Sequence, residues 1–530
     1  MKLPYSPSCR GYSHVLTSIA SRRLRAIWFL LALISLAACT SVPFDYPRTP
    51  SFTSAPDPNT VMGHTNLEWQ SEHGTQSGFI GLASGSDALG ARLRMMAAAQ
   101  SSIDAQYFIL KRDRAGALFV GKMLLAADRG VHVRLLIDDI FSPGIDKQLT
   151  LLDSHPNVEV RMFNPVSRNS LRYWAYLLDF GRANRRMHNK SFTVDNSMSI
   201  VGGRNIGEEY FELNQDVLFD DYEVFTLGPV VKEIGAGFDA FWNSELTVPV
   251  AAFKINIDPQ ELDSWRAYMR EQADASANGI YAKAFNSTFL RDIREKRIVP
   301  KPAQAVMITD SPDKLLGKIG DAELAVLARE KGRRFMAAKT EIIIVTPYFI
   351  PQQAGTEMLE SLLSEDVRIV IVTNSLASTN HVAVHGHYAK YRKQLLRAGA
   401  EFYEIRAEFD GERTAWGHTP EMITLHSKAT VIDRDTIFIG SFNFDPRSIK
   451  LNTEMGIFIE ADQAGAAFSD VVMREVTRVS YKVDLDDKEQ LRWTYTGGAK
   501  PVVLHKEPQA SWGRRFVSRV YGILPIETQL

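Results

Sequence analysis

From about residue 80 onward, short apolar runs alternate with stretches whose apolar residues recur at helical spacing. Apolar runs of roughly four to eight residues bounded by turn-forming residues predict buried strands, and the alternation predicts an α/β fold. The pattern then recurs. Ser102-Ile103-Asp104-Ala105-Gln106-Tyr107-Phe108-Ile109 has a counterpart in Glu341-Ile342-Ile343-Ile344-Val345-Thr346-Pro347-Tyr348-Phe349-Ile350, residues 133–137 match 367–371, and 158–163 match 400–405. Recurrence in the same order marks a duplicated unit. The expected organisation is a first repeat over 76–255, a partly helical connecting segment over 256–310, a second repeat over 311–485 and a tail over 486–530. The two copies are expected to face each other about a pseudo-two-fold axis.

The ends carry other patterns. Arg22, Arg23 and Arg25 precede an apolar run over 26–38, and Cys39 follows Leu36-Ala37-Ala38. A basic stretch, a short apolar stretch and a small-residue cleavage site predict a signal peptide over 1–38, and the run is short for a membrane span. The Leu-Ala-Ala-Cys ending resembles a bacterial lipobox, which would make Cys39 the lipidated first residue of a protein held at the cell envelope. Residues 39–75, rich in Pro, Ser, Thr and Asn, read as a flexible tether. Near the other end, Trp512, Phe516, Val520, Ile523 and Leu524 share one helical arc, and Arg514, Arg515, Ser518 and Arg519 the other. This basic amphipathic stretch suits either an anionic membrane surface or a helix packed on the domain with its arginines solvated. Tyr173-Trp174-Ala175-Tyr176 beside Arg172 could rim a lipid entry, although a core helix is the commoner reading of such a stretch.

The chain has 530 residues and a net charge of -1, so no global charge favours a nucleic-acid partner. Its two cysteines, Cys9 and Cys39, provide neither a disulfide framework nor a zinc site. His381-Val382-Ala383-Val384-His385 lacks the glutamate of a zinc-protease helix. No metal or cofactor is implied.

The strongest match between the halves is polar. His188-Asn189-Lys190 leads to Asp195 and Gly202-Gly203-Arg204-Asn205; His426-Ser427-Lys428 leads to Asp433 and Gly440-Ser441-Phe442-Asn443, with identical spacing. On a strand, positions i and i+2 share a face, so each His and Lys should reach one pocket. Asp195 and Asp433 have the opposite parity and sit among polar residues between two β-runs, which assigns them to hairpin turns. The glycines allow close backbone approach, and Asn205 and Asn443 can donate to phosphoryl oxygens. Cleaving a phosphodiester needs a nucleophile, a proton donor and positive charge, and two imidazoles, two ammonium groups and two amides supply all three without a metal. Glu223 and Glu454, downstream in each half, are candidates to orient the imidazoles.

The double His-x-Lys-x4-Asp pattern is similar to the paired motifs of the phospholipase D superfamily. Flanking runs such as Asn184-Arg185-Arg186-Met187, Thr373-Asn374-Ser375-Leu376-Ala377 and Phe444-Asp445-Pro446-Arg447-Ser448 resemble its bacterial cardiolipin synthase branch. The resemblance implies two tandem phospholipase D-like α-β-α repeats with one active site at their interface. It implies a metal-independent transphosphatidylase that moves a phosphatidyl group from a donor, phosphatidylethanolamine by preference, to phosphatidylglycerol. The family pattern makes His188 the nucleophile and His426 the acid/base; the symmetry of the two copies does not choose between them. A hydrolytic phospholipase D, or less favourably a nuclease, would use the same centre.

Overall fold

The structure is a computed structural model that describes residues 42–168, 172–214, 216–276, 281–317, 325–408 and 422–530. Cys39 and the expected signal peptide lie outside the described residues. No helix among the described residues is long and apolar enough to cross a membrane.

In the first repeat the strands are β1 (Ser77–Leu82), β2 (Ser102–Tyr107), β3 (His132–Asp138), β4 (Val158–Phe163), β5 (Arg186–Met187), β6 (Ser191–Val194), β7 (Met198–Gly202), β8 (Val217–Asp220), β9 (Glu223–Leu227) and β10 (Thr247–Pro249). After the connecting segment come β11 (Lys301–Thr309), β12 (Glu341–Val345), β13 (Arg368–Asn374), β14 (Glu401–Ile405), β15 (Met422–Leu425), β16 (Ala429–Ile432), β17 (Thr436–Gly440), β18 (Asn452–Thr453), β19 (Met455–Glu460), β20 (Ser480–Leu485), β21 (Leu491–Tyr495) and β22 (Val502–Leu504). The pairings run β4-β3-β2-β6-β7-β9 in one half and β14-β13-β12-β16-β17-β19 in the other. In each half the first three strands are parallel and the rest antiparallel, as expected of strands joined first by helical crossovers and then by hairpins.

The halves join through β1 and β11: β9 pairs with β1, β1 with β11, and β11 with β19. β11, at the end of the expected connecting segment, is therefore a strand of the junction. Phe79, Val201 and Val224 of the first repeat meet Ile437, Ile439 and Ile457 of the second in one buried cluster. At about 1.5–3 kcal/mol per buried aliphatic or aromatic side chain, this contact fixes how the repeats face each other.

The motif aspartates sit at equivalent hairpin turns. Asp195 and Asp433 both have φ 51°, a left-handed conformation that Asp and Asn tolerate. The Asp195 carboxylate accepts backbone N–H bonds from Gln100, Ser101 and Ser102, and Asp433 from Lys339, Thr340 and Glu341. Each aspartate pins its hairpin to the start of its own half's central strand, β2 or β12.

Three expectations change. Residues 42–73, within the expected tether, form a strap and then the helix Val61–His73. Backbone N–H groups of Ser51 and Thr53 donate to Asn243 and Asp239, Arg161 donates to the Thr49 carbonyl, and Trp242 donates to Ser51. Proline and serine made the segment look free, but its polar backbone finds partners on the first repeat. The helix Arg172–Leu178 is not a core helix: Tyr173 and Trp174 are 68% and 54% exposed. The C-terminal helix Trp512–Ile523 packs on the helix Val382–Arg397 with Ser518 buried and Arg514 and Arg515 half-buried, while Arg519 stays exposed and Trp512, Phe516, Val520 and Ile523 face out.

Candidate active site

Each His-x-Lys segment lies between two strands rather than on one. His188–Lys190 leave β5 before β6 begins, and His426–Lys428 leave β15 before β16. The reason is that β5 and β15 pair with the opposite repeat. β5 runs parallel to β18, and β15 parallel to β8. His188 N–H donates to the Thr453 carbonyl (3.0 Å), and His426 N–H to the Asp220 carbonyl (2.7 Å). Each histidine is therefore positioned by backbone from the other half, and each chain segment then turns into its own half's sheet.

The same crossing supplies the carboxylates. His188 Nδ1 lies 2.8 Å from Glu454 Oε2, and His426 Nδ1 lies 2.5 Å from Asp221 Oδ2. Both imidazoles and both carboxylates are buried. Expected Glu454 is in place, oriented onto the histidine of the first repeat. Expected Glu223 is not: it is bound bidentately by Arg92 at 2.9 and 2.6 Å, away from both imidazoles. Strand register explains the error. Gly202 pairs with Glu223 and Gly440 with Gly456, so Glu223 is the counterpart of Gly456, and Asp221 of Glu454. The return strand begins five residues earlier relative to the motif in the second repeat. Aligning Phe225 with Phe458 in the sequence reveals this shift and identifies Asp221.

Further side chains hold the carboxylates. Ser448 Oγ donates to Glu454 Oε1 at 2.9 Å, and Ser441 Oγ to Oε2. Gly203 stands where the second copy has Ser441, and a side chain there would run into the Asp221 carboxylate. Arg204 donates to the Asp221 carbonyl and to those of Leu82 and Tyr210, fixing the strand end that carries the aspartate.

Lys190 Nζ donates to the His188 carbonyl at 2.6 Å, and Lys428 Nζ to that of His426. Asn205 accepts from the Ile109 N–H and donates to the Tyr210 hydroxyl, while the buried Asn443 Oδ1 has no partner among the described residues. The Phe108 ring lies edge-on to His188 at 4.9 Å, and Phe219 stacks on His426 at 5.2 Å. None of Asp221, Tyr210, Phe108 or Phe219 follows from motif spacing.

Burial sets the charge state. It pushes Lys190 down to about 7 and Lys428 down to about 8. Burial, with the Lys428 charge, pushes His426 down to about 3, and burial with both lysine charges holds His188 well below the usual imidazole range. Burial lifts Glu454 to about 7 against the pull of Lys190; burial also acts to raise Asp221, but His426 and Lys428 hold it below the usual carboxylate range. Lys428 acts on His188 and Lys190 on His426, so the two half-sites form one electrostatic unit. A bound phosphodiester anion would stabilise both ammonium groups and favour protonating one imidazole. With each Nδ1 held by a carboxylate, Nε2 is left for the substrate. Chemically, two such imidazoles and two buried lysines can supply a nucleophile, an acid/base and positive charge.

The family profile described as "Cardiolipin synthase, PLD-like domain" matches residues 93–242 and 333–475. The chain is 38% identical to cardiolipin synthase C of Escherichia coli over 461 residues, 86% of this chain and 97% of that protein. It is 25% identical to cardiolipin synthase 2 of Bacillus cereus over 401 residues, 75% of this chain and 63% of that one. The crystal structure of a phosphatidylserine synthase from Haemophilus influenzae shares the fold, with a TM-score of 0.53 and 13% identity, over 88% of this chain and 100% of that one.

Proposed function

The chain belongs to the cardiolipin synthase family of PLD-like proteins, within the phospholipase D superfamily, and on that premise we propose that its two histidines serve one phosphorus atom in making cardiolipin. It is an enzyme of the transphosphatidylase type. The observation that carries the finer reading is the crossed pairing of His188 with Glu454 and His426 with Asp221. Two imidazoles held in fixed tautomers, facing two buried ammonium groups, suit in-line displacement at a phosphodiester.

In the first step His188 Nε2 attacks phosphorus, the bond to the headgroup oxygen breaks, and His426 gives its proton to the departing alcohol. In the second, His426 takes the proton from a glycerol hydroxyl of phosphatidylglycerol. That oxygen attacks phosphorus, and the phosphorus–nitrogen bond to His188 breaks. Lys190 and Lys428 stabilise the phosphoryl oxygens throughout. Asn443 can donate to the same oxygens, and Asn205 orders the floor through Tyr210 and Ile109. The donor is a phospholipid, phosphatidylethanolamine in this reading, drawn from the membrane of the bacterial cell envelope. Lipidation of Cys39 would hold the enzyme there. Expression in a cardiolipin-deficient bacterium tests the reaction. New cardiolipin by lipid chromatography supports it, and phosphatidic acid in its place identifies a hydrolase.

A further inference from the structure

Away from the motif residues, a cleft of roughly 680 Å³ opens between the helix Val382–Arg397, the C-terminal helix Trp512–Ile523 and the segment around Lys506. The two helices meet where Gly386 faces Ser518 and Gly522, close enough that a side chain on Gly386 would strike the Ser518 carbonyl. Beside this crossing, Lys390, Lys393, Lys506, Arg515 and Arg519 line the cleft; Lys390 is paired with Glu527 at 3.0 Å, and Lys393 and Arg515 donate to the Glu489 and Glu507 carbonyls, which leaves Lys506 and Arg519 as the charges most open to a ligand. Among the described residues Glu507 is the one acidic residue lining it, and Arg392 already binds that carboxylate at 2.7 Å while also binding Glu404. His385, Glu404 and Glu507 bring potential ligand atoms within 4.8 Å of one another, but this guanidinium occupies the place a cation would take. The cleft is thus built for an anion.

Its rim is apolar. Ile523 lines the cleft and is 84% exposed, and Trp512, Phe516 and Val520 continue the exposed row along the same helix. A cationic cleft under an outward apolar edge matches a lipid whose phosphate lies at a bilayer surface and whose chains lie above it. A free phosphate shares the cleft's chemistry but makes no use of the apolar row.

We propose that this cleft is a second, non-catalytic lipid site, which takes the phosphate-bearing headgroup of an anionic membrane phospholipid while the outer row of the C-terminal helix enters the acyl region. The helix that walls the cleft also reaches the segment leading to one imidazole, through Arg514, which lies outside the cleft lining. Arg514 donates to the Leu376 carbonyl at 2.6 Å, and to that of Thr379. Ser378, between them, accepts from Thr424 through its carbonyl and donates to Asn374, which in turn binds both backbone groups of Leu425, next to His426. The C-terminal helix, rather than the cleft itself, braces the segment that positions one imidazole. The lipid site rests on the proposed function only in choosing a bilayer as the source of phosphate.

Amide hydrogen exchange of the full chain tests it, with phosphatidylcholine bicelles alone, the same bicelles containing phosphatidylglycerol, and inorganic phosphate alone. Exchange slowed severalfold over 386–393 and 504–507 only when phosphatidylglycerol is present supports the site. Lys506→Glu with Arg519→Glu should remove that protection and weaken bicelle binding by more than the roughly thirty-fold that loss of two surface cations alone would cause, because the new carboxylates also repel the anionic surface. The milder pair Lys506→Gln and Arg519→Gln should weaken it less, with an unchanged melting temperature. Equal protection by inorganic phosphate identifies a free-anion site and overturns the lipid assignment. Equal protection by phosphatidylcholine alone, or none, overturns the cleft as an anion site. Protection at 186–190 and 424–428 is read in the same experiment, so failure of the catalytic reading is seen separately.

Discussion

His188 and Glu454, from opposite repeats, form a buried pair with Nδ1 2.8 Å from Oε2. The reciprocal pair, His426 with Asp221 at 2.5 Å, makes the arrangement two-fold. Neither repeat holds a complete half-site, because the carboxylate that fixes each imidazole arrives on the other half's return strand. The active centre is therefore a property of the interface, and the apolar cluster joining the halves holds the catalytic geometry.

Glu454→Gln and Asp221→Asn should each lower kcat by about 10²–10⁴-fold, since an amide in place of the carboxylate loses both tautomer control and charge. Steady-state transfer assays on folded protein read the loss. Unchanged turnover in both variants would remove the orienting role.

Glu223→Gln should behave differently. Its partner Arg92 is buried, and removing the carboxylate leaves that charge unpaired, at a cost of about 3–5 kcal/mol of stability. Urea unfolding should show the loss, while kcat per folded molecule stays within a few-fold of the parent. A large kcat loss at unchanged stability would return Glu223 to the catalytic machinery.

His188→Ala and His426→Ala should each abolish transfer and leave the melting temperature close to that of the parent. Both rings lie outside the hydrophobic core clusters and contact the half-buried Phe108 and Phe219. Substantial turnover in either variant contradicts a paired centre.

The pH profile follows from burial. Lys190 at about 7 and Lys428 at about 8 lose charge as pH rises through those values, so KM for the donor should climb on the alkaline side. Glu454, raised to about 7, must be ionised to hold His188, so activity should fall on the acid side. The expected kcat/KM profile is a narrow bell near neutrality, and Lys190→Arg should carry its alkaline limb upward. A profile flat between about pH 6 and about pH 9 contradicts this.

Treatment with a chelator should leave transfer intact, because lysine and asparagine side chains are assigned the charge neutralisation that a metal would otherwise supply. Loss of activity restored by added zinc contradicts that assignment.

Much of this was legible in the sequence because it is local. The strands of each repeat and their recurrence follow from apolar periodicity, and the turn role of Asp195 and Asp433 from parity; the order of the strands in the sheet does not. What crosses between repeats was not legible. Nothing in the run Asn452-Thr453-Glu454 says that Thr453 and Glu454 serve His188. Spacing points to Glu223 rather than Asp221 because the loop between motif and return strand differs in length by five residues, which register resolves and spacing conceals. Composition misled at the strap around Ser51 and Thr53, whose polar groups are satisfied by tertiary partners. It misled again at Tyr173 and Trp174, whose aromatic rings are turned outward.

The most direct test is to quench the enzyme in alkali during turnover of a donor labelled in its phosphate, and to map the label by peptide mass. A single phosphatidyl group per chain, on His188, is the predicted result. Two groups per chain, or label on neither histidine, would contradict one centre built by two imidazoles.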